Sequence, residues 1–267
     1  MSVNWLYKPS HNKSLVRVLL DYEQKWQEQY SSEVIELELE KLVCLLAENM
    51  QDSASDQDNL YKLVDILIDE IGFTGPGLQM LPESALSHLS FCIMHRTGNE
   101  FTLAIVFCYL LNQLGFNAML SNVEDDIALV VKLTHSEYII IDALSGASEY
   151  LISQQDVKEN LTNDISRYAN PYEFDELVKL ALTDQKLAML DEGLYAQALI
   201  CVESLMELLP EDPYERRDRG LVLNQLNCEA WAKEDLDYFV KACPNDPMAT
   251  FIRLQLEEQH HIVDTIH

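Results

Sequence analysis

Apolar residues recur at helical spacing through the first seventy positions of the chain. Three stretches place large apolar side chains three or four residues apart, which predicts three helices with one dry face each. Their stripes are Leu15, Leu19 and Tyr22, then Ile35, Leu39, Leu42 and Leu46, then Leu60, Leu63, Leu67 and Ile71. The polar run QDSASDQD separates the second stripe from the third, and Gly72 ends the third helix.

Two more helices are predicted before the period of the pattern changes. One spans about 84–95, and the next begins within HRTGNEFTLAIVFCYLLNQLGF, residues 95–116. The runs FNAMLSNV, DIALVVKLT and SEYIIIDAL then predict three antiparallel strands, the middle one buried on both faces. SGAS ends the third strand, and a short helix capped by Ser153 is expected after it.

The last third of the chain has a period of 34 residues, which is the tetratricopeptide period. Pro210 and Pro244 are 34 positions apart, as are Pro213 and Pro247. Residue types that close helix packing requires recur in register, namely Gly193, Tyr195, Ala198 and Leu205 in one unit and Gly220, Ala232 and Phe239 in the next. We therefore predict repeats over about 179–212 and 213–246, with a capping helix over 247–260.

These elements predict an α+β chain that is mostly helical and has two domains. Residues 1–170 form a domain of helices with a small antiparallel sheet, and the expected boundary lies near 165–172. Residues 171–267 form an α-helical tetratricopeptide-repeat domain.

The charge of the chain restricts its partners. Lys and Arg number 18 and Asp and Glu number 45, for a net charge of −27. Because such a surface repels phosphate backbones and anionic lipids, we expect no direct binding to nucleic acid or membrane. Proteins or peptides, basic ones in particular, are the expected partners, although the acidity could serve solubility alone. No apolar run approaches the roughly 20 residues of a membrane span, and no signal peptide is evident, so a cytoplasmic location is expected.

The six cysteines are scattered and none forms a C-x-x-C pair, which predicts buried free thiols, without disulfides or a zinc site. Glycine loops for phosphate, H-E-x-x-H and G-x-S-x-G are all missing from the sequence. We therefore expect neither a metal nor a cofactor.

The helix that opens on Phe101, Thr102 and Leu103 raises the question of catalysis. Helix starts of this kind carry the nucleophile in papain-like and transglutaminase-like proteins, since the dipole favours a thiolate there. Such a site needs a hydroxyl or thiol at the helix start, a histidine on the next buried strand and an Asp or Asn on the following strand. Thr102 and Asp142 fit the first and third places, but the middle strand contains no histidine. A threonine hydroxyl without a base is a poor nucleophile.

Two alternatives remain open for these residues. His88, His95 or His135 could rebuild a rearranged site around Thr102. Otherwise Thr102 is an ordinary residue of a helix N-terminus, and Asp142 satisfies backbone N–H groups at the end of a strand.

The segment YERRDRGL concentrates arginine in an otherwise acidic chain. By repeat register, four residues are expected to face the groove, Tyr214, Arg217, Leu221 and Asn224. Together with Asp218 and Arg219 they are the predicted partner-binding residues. An arginine in this groove could bind a peptide carboxylate with both of its terminal nitrogens. The sequence favours the alternative, in which the arginines pair with nearby acidic residues, including those of the N-terminal half, and lock the two parts of the chain together, because so many carboxylates surround them.

Taken in order, these segments resemble the bacterial SirB-type (invasion-regulator-like) family, and its enterobacterial branch most closely. The resemblance rests on RTGNEFTLAIVFCYLLNQLGF, IIIDALSG, EDPYERRDRGLVLNQL and CPNDP. It implies a transglutaminase-like domain followed by tetratricopeptide repeats. Members with the fuller pattern have Arg-x-Gly, then Pro-Ile-Ser-Leu at the helix start, and Pro-Gly-His-Phe on the strand. Here Arg96, Gly98 and Asp142 are kept, Thr102 replaces the serine and Ala128 replaces the histidine.

The resemblance therefore implies a degenerate site, whose vestiges are Thr102, Ala128 and Asp142. The function predicted first is that of a non-catalytic cytosolic scaffold or adaptor, a pseudoenzyme that binds a protein or peptide in its repeat groove. The alternative is a hydrolase or acyltransferase of transglutaminase or cysteine-protease ancestry that uses Thr102. A third possibility is a regulator that acts indirectly, through a protein partner.

Overall fold

The structure, a computed structural model, describes residues 7–8, 13–27, 29–77, 81–123, 126–134, 136–152 and 171–266. The chain divides into two units, Met1–Asp184 and Gln185–His267. The predicted helix at Ser153 and most of the predicted boundary near 165–172 lie outside the described residues. Among the described helices, none is long and apolar enough to span a bilayer.

The first unit combines helices with two small sheets. Its described elements are β1 (Tyr7–Lys8), β2 (Lys13–Ser14), α1 (Leu15–Glu23), α2 (Ser32–Asn49), α3 (Asp56–Asp65), α4 (Glu83–Leu86), α5 (Leu89–His95), α6 (Glu100–Gln113), β3 (Asn117–Val123), β4 (Asp126–Lys132), β5 (Glu137–Ile141) and β6 (Ser148–Ile152). Helix α7 (Phe174–Asp191) begins in this unit and ends in the second unit, which continues with α8 (Tyr195–Leu208), α9 (Pro213–Gln225), α10 (Glu229–Ala242) and α11 (Pro247–Ile266).

The helices α1 to α3 follow the predicted apolar stripes. The four stripe residues of α2 are all buried, as are Leu60, Leu63 and Leu67 on the next helix. Helix α3 starts earlier than predicted, inside the polar connector, because the Ser55 side chain caps it by accepting a hydrogen bond from the Asp58 N–H. The helix continues as a π-helical turn and ends before Gly72, whose φ of 84° suits glycine.

The single helix predicted over 84–95 is wrong, because the chain forms two short helices there, α4 and α5. The break has a physical cause that lies far away in sequence. The buried carboxylate of Glu23 accepts hydrogen bonds from the backbone N–H groups of Leu89 and Ser90, at 2.6 and 3.0 Å. These are the donors that a new helix start leaves unpaired, so Glu23 stabilises the beginning of α5.

The main sheet has four antiparallel strands in the order β3-β4-β5-β6, not the three that were predicted. The missed strand is β6, which pairs with β5 through a turn whose Gly146 has a φ of 72°. Strand β4 is buried on both faces, as predicted, since the successive residues Leu129, Val130 and Val131 are all buried. Helix α6 is buried nearly all round and contributes core residues from Leu103 to Leu111.

The second unit follows the 34-residue register. Ala198 and Ala232 are fully buried where the paired helices approach each other. Gly220 is required by close packing, since a Cβ atom there would lie 2.8 Å from the Cγ atom of Leu236. Phe239 belongs to an apolar cluster shared by α10 and α11, which includes Ile252. The spacing of small and large residues therefore predicted this packing correctly.

Candidate functional site

The start of α6 is closed by the side chain of Asn99. Its Oδ1 atom accepts a hydrogen bond of 2.8 Å from the backbone N–H of Thr102, which satisfies one of the donors that a helix start leaves unpaired. Its amide group donates a second hydrogen bond of 2.8 Å to the Oδ2 atom of Asp184, on α7. A carboxylate therefore lies close to the positive end of the α6 dipole, which would otherwise favour an anionic nucleophile.

Thr102 is the third residue of α6 and is buried, with 2% of its surface exposed. The position at which the resemblance puts a nucleophile is thus a buried position behind the Asn99 cap. This placement matches the ordinary structural role considered for Thr102, that of a residue in the first turn of a helix.

The Arg-x-Gly pair, Arg96 and Gly98, has structural contacts around the same helix start. Arg96 ends α5 with a φ of 60°, forms an ion pair with Glu38 and lies over the ring of Phe73, 5.3 Å from its centroid. Burial by itself raises the pKa of Glu38, but Lys41 and Arg96 outweigh it, so this pKa lies below its usual value. Gly98 packs against α5, since a Cβ atom there would lie 3.0 Å from the Sγ atom of Cys92.

Ala128 lies on β4, and Asp142 directly follows the neighbouring strand β5. Leu129 of β4 pairs with Ile141 of β5, so extending the register by one residue sets Ala128 opposite Asp142. The methyl group of Ala128 packs against an apolar cluster that includes Val130. At the position aligned with a histidine, the sheet therefore presents a small apolar side chain.

The carboxylate of Asp142 is used within its own turn. It accepts hydrogen bonds from the backbone N–H groups of Leu144 and Ser145, at 2.8 and 3.3 Å, and from the Ser145 hydroxyl at 2.7 Å. Burial by itself raises the pKa of Asp142, but these hydrogen bonds outweigh it and the pKa lies below its usual value. Asp142 therefore stabilises the β5–β6 turn, which is the structural role that the sequence suggested.

The histidines considered for a rearranged site have other partners. The His88 ring accepts a hydrogen bond of 2.9 Å from the Trp26 indole through Nε2, and its Nδ1 atom contacts the carbonyl oxygen of Ser84. The Nε2 atom of His95 forms a hydrogen bond of 2.6 Å with the Tyr30 hydroxyl. His135 lies outside the described residues. Within the described part of the chain, no hydrogen bond joins Thr102 to a histidine.

The thiols differ in exposure, so the expectation of buried free thiols holds for only part of them. All six are free, but Cys44 and Cys228 are exposed. Cys92 and Cys108 are completely buried, and burial raises the pKa of each thiol. Buried thiols of this kind are packing residues and not nucleophiles.

Two of the three arginines of α9, Arg217 and Arg219, are paired with acids of their own unit. Arg217 donates two hydrogen bonds to the Oδ1 atom of Asp218, at 2.9 and 2.6 Å. Arg219 donates one hydrogen bond to each oxygen of the buried Asp235 carboxylate, at 2.6 and 2.7 Å. Pairing with nearby acidic residues, the alternative that the sequence favoured, is therefore observed for Arg217 and Arg219.

A buried ionic cluster connects α7 to α9. The Lys186 ammonium lies 2.9 and 3.1 Å from the two oxygens of Glu215 and 2.7 Å from the Oδ2 atom of Asp218. All three residues are buried. Burial lowers the pKa of Lys186, but Asp218 and Glu215 outweigh it, and the pKa lies above its usual value. Asp218 is therefore part of the interior ionic cluster of the second unit.

The other residues predicted for the groove lie on one side of α9. The Tyr214 ring is exposed, packs edge-on against Phe239 and donates a hydrogen bond of 3.3 Å to Asp246 through its hydroxyl. The guanidinium of Arg217 lies 5.2 and 5.5 Å from the ring centroids of Tyr214 and Phe239. Leu221 packs against the apolar cluster of α10 and α11, and Asn224 is half-buried.

Glu23 and Lys186 are among the buried charged residues that were not identified from the sequence. Glu23 gives no local signal, since its partners are the backbone N–H groups of residues 66 and 67 positions later. Lys186 could have been found, because it stands one 34-residue period before Gly220, at a close-packed position that favours a small residue. A lysine at such a position must place its charge against buried acids.

Comparison with known proteins gives family matches for both parts of the chain. Residues 33–189 match the transglutaminase-like superfamily and residues 185–257 match a tetratricopeptide-repeat family. The chain is 29% identical to protein SirB1 of Salmonella typhimurium over 86% of this chain and 87% of that protein. It is 30% identical to UPF0162 protein YchA of Escherichia coli K12, over 84% of each chain. A UPF0162 protein of Vibrio cholerae is 42% identical over 28% of each chain.

No solved structure matches the chain. The matches to the family and to its relatives span most of the sequence and include both the transglutaminase-like part and the repeats. The chain therefore belongs to the transglutaminase-like superfamily, and within it to the family of SirB1 and the UPF0162 proteins, with tetratricopeptide repeats in its second unit.

Proposed function

We propose that this protein is a non-catalytic cytosolic scaffold or adaptor, which binds a protein or peptide through the groove of its repeats. The observation that carries the proposal is the position of Thr102, buried behind the Asn99 cap, with the Asp184 carboxylate bound to that cap. A nucleophile at a helix start needs access to substrate and a base within hydrogen-bond reach. Neither requirement is met by the described contacts of Thr102.

The neighbouring residues support the same conclusion. A catalytic Asp must hold an imidazole in position, but the carboxylate of Asp142 is engaged by Ser145 and Leu144. The place of the imidazole is taken by Ala128, whose side chain packs on apolar neighbours. The residues that align with catalytic ones therefore serve, in our proposal, to stabilise the fold, which has outlived its ancestral reaction.

The second unit supplies the proposed binding surface. Tetratricopeptide arrays bind extended or helical peptides on the row formed by the first helix of each repeat. On α9, this row consists of Tyr214, Arg217, Leu221 and Asn224. Asp218 and Arg219 support the row in our proposal through their ion pairs inside the unit.

The net charge of −27 favours a protein or peptide partner over nucleic acid or an anionic membrane. A regulatory effect on transcription would, in this account, be indirect and run through such a partner. The carboxylates on the surface make a basic partner the best electrostatic match.

The proposal is tested by binding experiments with the full chain and matched variants. The wild type, Tyr214→Ala, Asn224→Ala and Thr102→Ala are immobilised, and cytosolic proteins from a bacterium that carries the gene are passed over each. We expect at least one protein to be retained by the wild type and Thr102→Ala and lost with Tyr214→Ala or Asn224→Ala. Retention that depends on Thr102 and ignores both groove variants would contradict the proposal.

A further inference from the structure

Several exposed apolar side chains of the second unit lie at positions that face the groove in this kind of repeat. Met248 and Phe251 come one 34-residue period after Tyr214 and Arg217, so the first turns of α11 repeat the groove positions of α9. Tyr214, Met248 and Phe251 are 45%, 40% and 56% exposed. Large apolar side chains grouped on one surface are typical of a binding site.

The same register reaches α7. Leu187 stands one period before Leu221 and is 52% exposed. The two helices are neighbours, since Lys186 on α7 binds Glu215 on α9. Helix α11 is the next neighbour, because Leu221 packs against a cluster to which α11 contributes. Leu187, Tyr214, Met248 and Phe251 therefore belong to three alternate helices, α7, α9 and α11, and we call them the apolar strip.

Negative charge flanks the apolar strip at two places. Asp191 is exposed and follows Leu187 by four residues, which places both side chains on one face of α7. Asp246 lies two residues before Met248. Its carboxylate accepts one hydrogen bond of 2.8 Å from the Met248 backbone N–H and another from the Tyr214 hydroxyl. Across the described ranges, neither Asp191 nor Asp246 forms an ion pair.

The cation of the groove is already neutralised. Arg217 lies at the middle of this surface, but its guanidinium is bound to the Asp218 carboxylate at 2.6 Å and rests over two aromatic rings. Because Nε and one Nη atom of Arg217 already donate to Asp218, the charge of this guanidinium is largely compensated and attracts the carboxylate of a ligand less strongly. The surface is consequently built for apolar side chains and positive charge, and not for a peptide carboxylate.

We infer that the groove binds a basic segment of another protein, in which large apolar side chains alternate with lysine or arginine. The apolar side chains contact the apolar strip, and the cations lie beside Asp191 and Asp246. This inference rests on the proposed function and specifies the partner class. A second copy of this chain is the poorer occupant, because two chains of charge −27 repel each other.

The experiment is a selection of peptides from a random display library with the purified full chain. We expect the selected peptides to be enriched in Lys and Arg together with large apolar residues. The affinity of a selected peptide should fall at least about tenfold with Phe251→Ala, which removes a central aromatic anchor. It should fall severalfold with Asp191→Asn and with added salt, because charge attraction across the interface is screened.

Trp231→Ala is the matched control, since Trp231 is 73% exposed but lies on α10, outside the groove helices. This variant should bind like the wild type, and circular dichroism should report the same helicity for all variants. Groove-dependent selection of acidic peptides, or of peptides held by their terminal carboxylate, would overturn the inference and leave the proposed function intact. A dimer of this chain that Phe251→Ala dissociates would overturn it too. If no selected peptide depends on Tyr214 or Phe251 for binding, both the inference and the proposed function are contradicted.

Discussion

The amide side chain of Asn99 joins the start of α6 to Asp184, with hydrogen bonds of 2.8 Å on each side. In an active transglutaminase-like site, the helix start has to accommodate a reactive anion and a substrate. Here a neutral amide and a carboxylate fill that environment. Asn99 and Asp184 together therefore place a carboxylate beside the capped start of α6.

Replacing the cap should lower stability without unfolding the protein. Asn99→Ala removes the hydrogen bond to the Thr102 N–H and should reduce the free energy of unfolding by about 1 kcal/mol. Urea unfolding measures the change. The control is Gln113→Ala, an exposed position near the other end of α6, which should change stability by less than about 0.5 kcal/mol. Equal effects of the two substitutions would contradict the role of the Asn99 cap.

Replacing Glu23 should lower the free energy of unfolding by more than replacing an exposed residue of the same helix. Glu23→Ala leaves the Leu89 and Ser90 N–H groups unpaired in a buried place, which should cost about 2–3 kcal/mol of unfolding free energy. Hydrogen exchange should accelerate first in α5, since this is the helix whose start Glu23 satisfies. Asp21→Ala, at an exposed position of the same helix, is the control. Unchanged protection of α5 in Glu23→Ala would refute the role assigned to this carboxylate.

The charge of Lys186 should contribute strongly to the stability of the second unit. Lys186→Met leaves the carboxylates of Glu215 and Asp218 buried beside each other, and we expect a loss of roughly 3–5 kcal/mol. Adding Glu215→Gln to this variant should restore part of the loss, because one uncompensated charge is removed. The comparison is made by urea unfolding of both variants. A double variant as unstable as Lys186→Met would contradict the electrostatic explanation.

The pH dependence of this cluster has a definite sign. The pKa of Lys186 in the folded chain lies above its ordinary value of 10.5. The stability that the cluster contributes is therefore fully present below pH 10.5 and decreases only as the pH rises through the raised pKa. The stability difference between wild type and Lys186→Met, measured by urea unfolding, should stay constant from neutral pH to about pH 10 and shrink above it. If this stability difference instead shrinks as the pH is lowered near neutrality, the role assigned to the raised pKa of Lys186 is contradicted.

Thiol labelling tests the burial on which the first unit depends. Under native conditions, Cys44 and Cys228 should react with iodoacetamide, whereas Cys92 and Cys108 should react only after denaturation, since burial raises the pKa of both thiols. Mass spectrometry of digested protein identifies each labelled residue. A new thiol in Thr102→Cys should stay as unreactive as Cys92, and rapid labelling at that position would contradict a closed helix start.

Local periodicity predicted much of the fold, and contacts distant in sequence explain the rest. Helical stripes predicted α1 to α3, and the 34-residue register predicted the burial of Ala198 and Ala232, because these features depend on neighbours nearby in sequence. The break between α4 and α5 was missed, because Glu23 causes it from 66 residues away. Strand β6 was missed because the turn at Gly146 resembled the end of a sheet.

The candidate site was predictable in part for the same reason. The absence of a histidine on β4 and the identity of Thr102 and Asp142 could be read from the sequence alone. The cap formed by Asn99 could be suspected from its position before the helix. The carboxylate of Asp184 could not be predicted as a partner of this cap, because no sequence pattern indicates that Asp184 lies beside Asn99.

The most direct test of a non-catalytic protein is turnover by the wild type and Thr102→Ala on the same panel of peptide amides, thioesters and acyl acceptors. Both proteins should give the same background rates, because the buried Thr102 hydroxyl has no described histidine partner to take its proton. A wild-type turnover that disappears in Thr102→Ala, while circular dichroism and urea unfolding stay unchanged, would contradict the account.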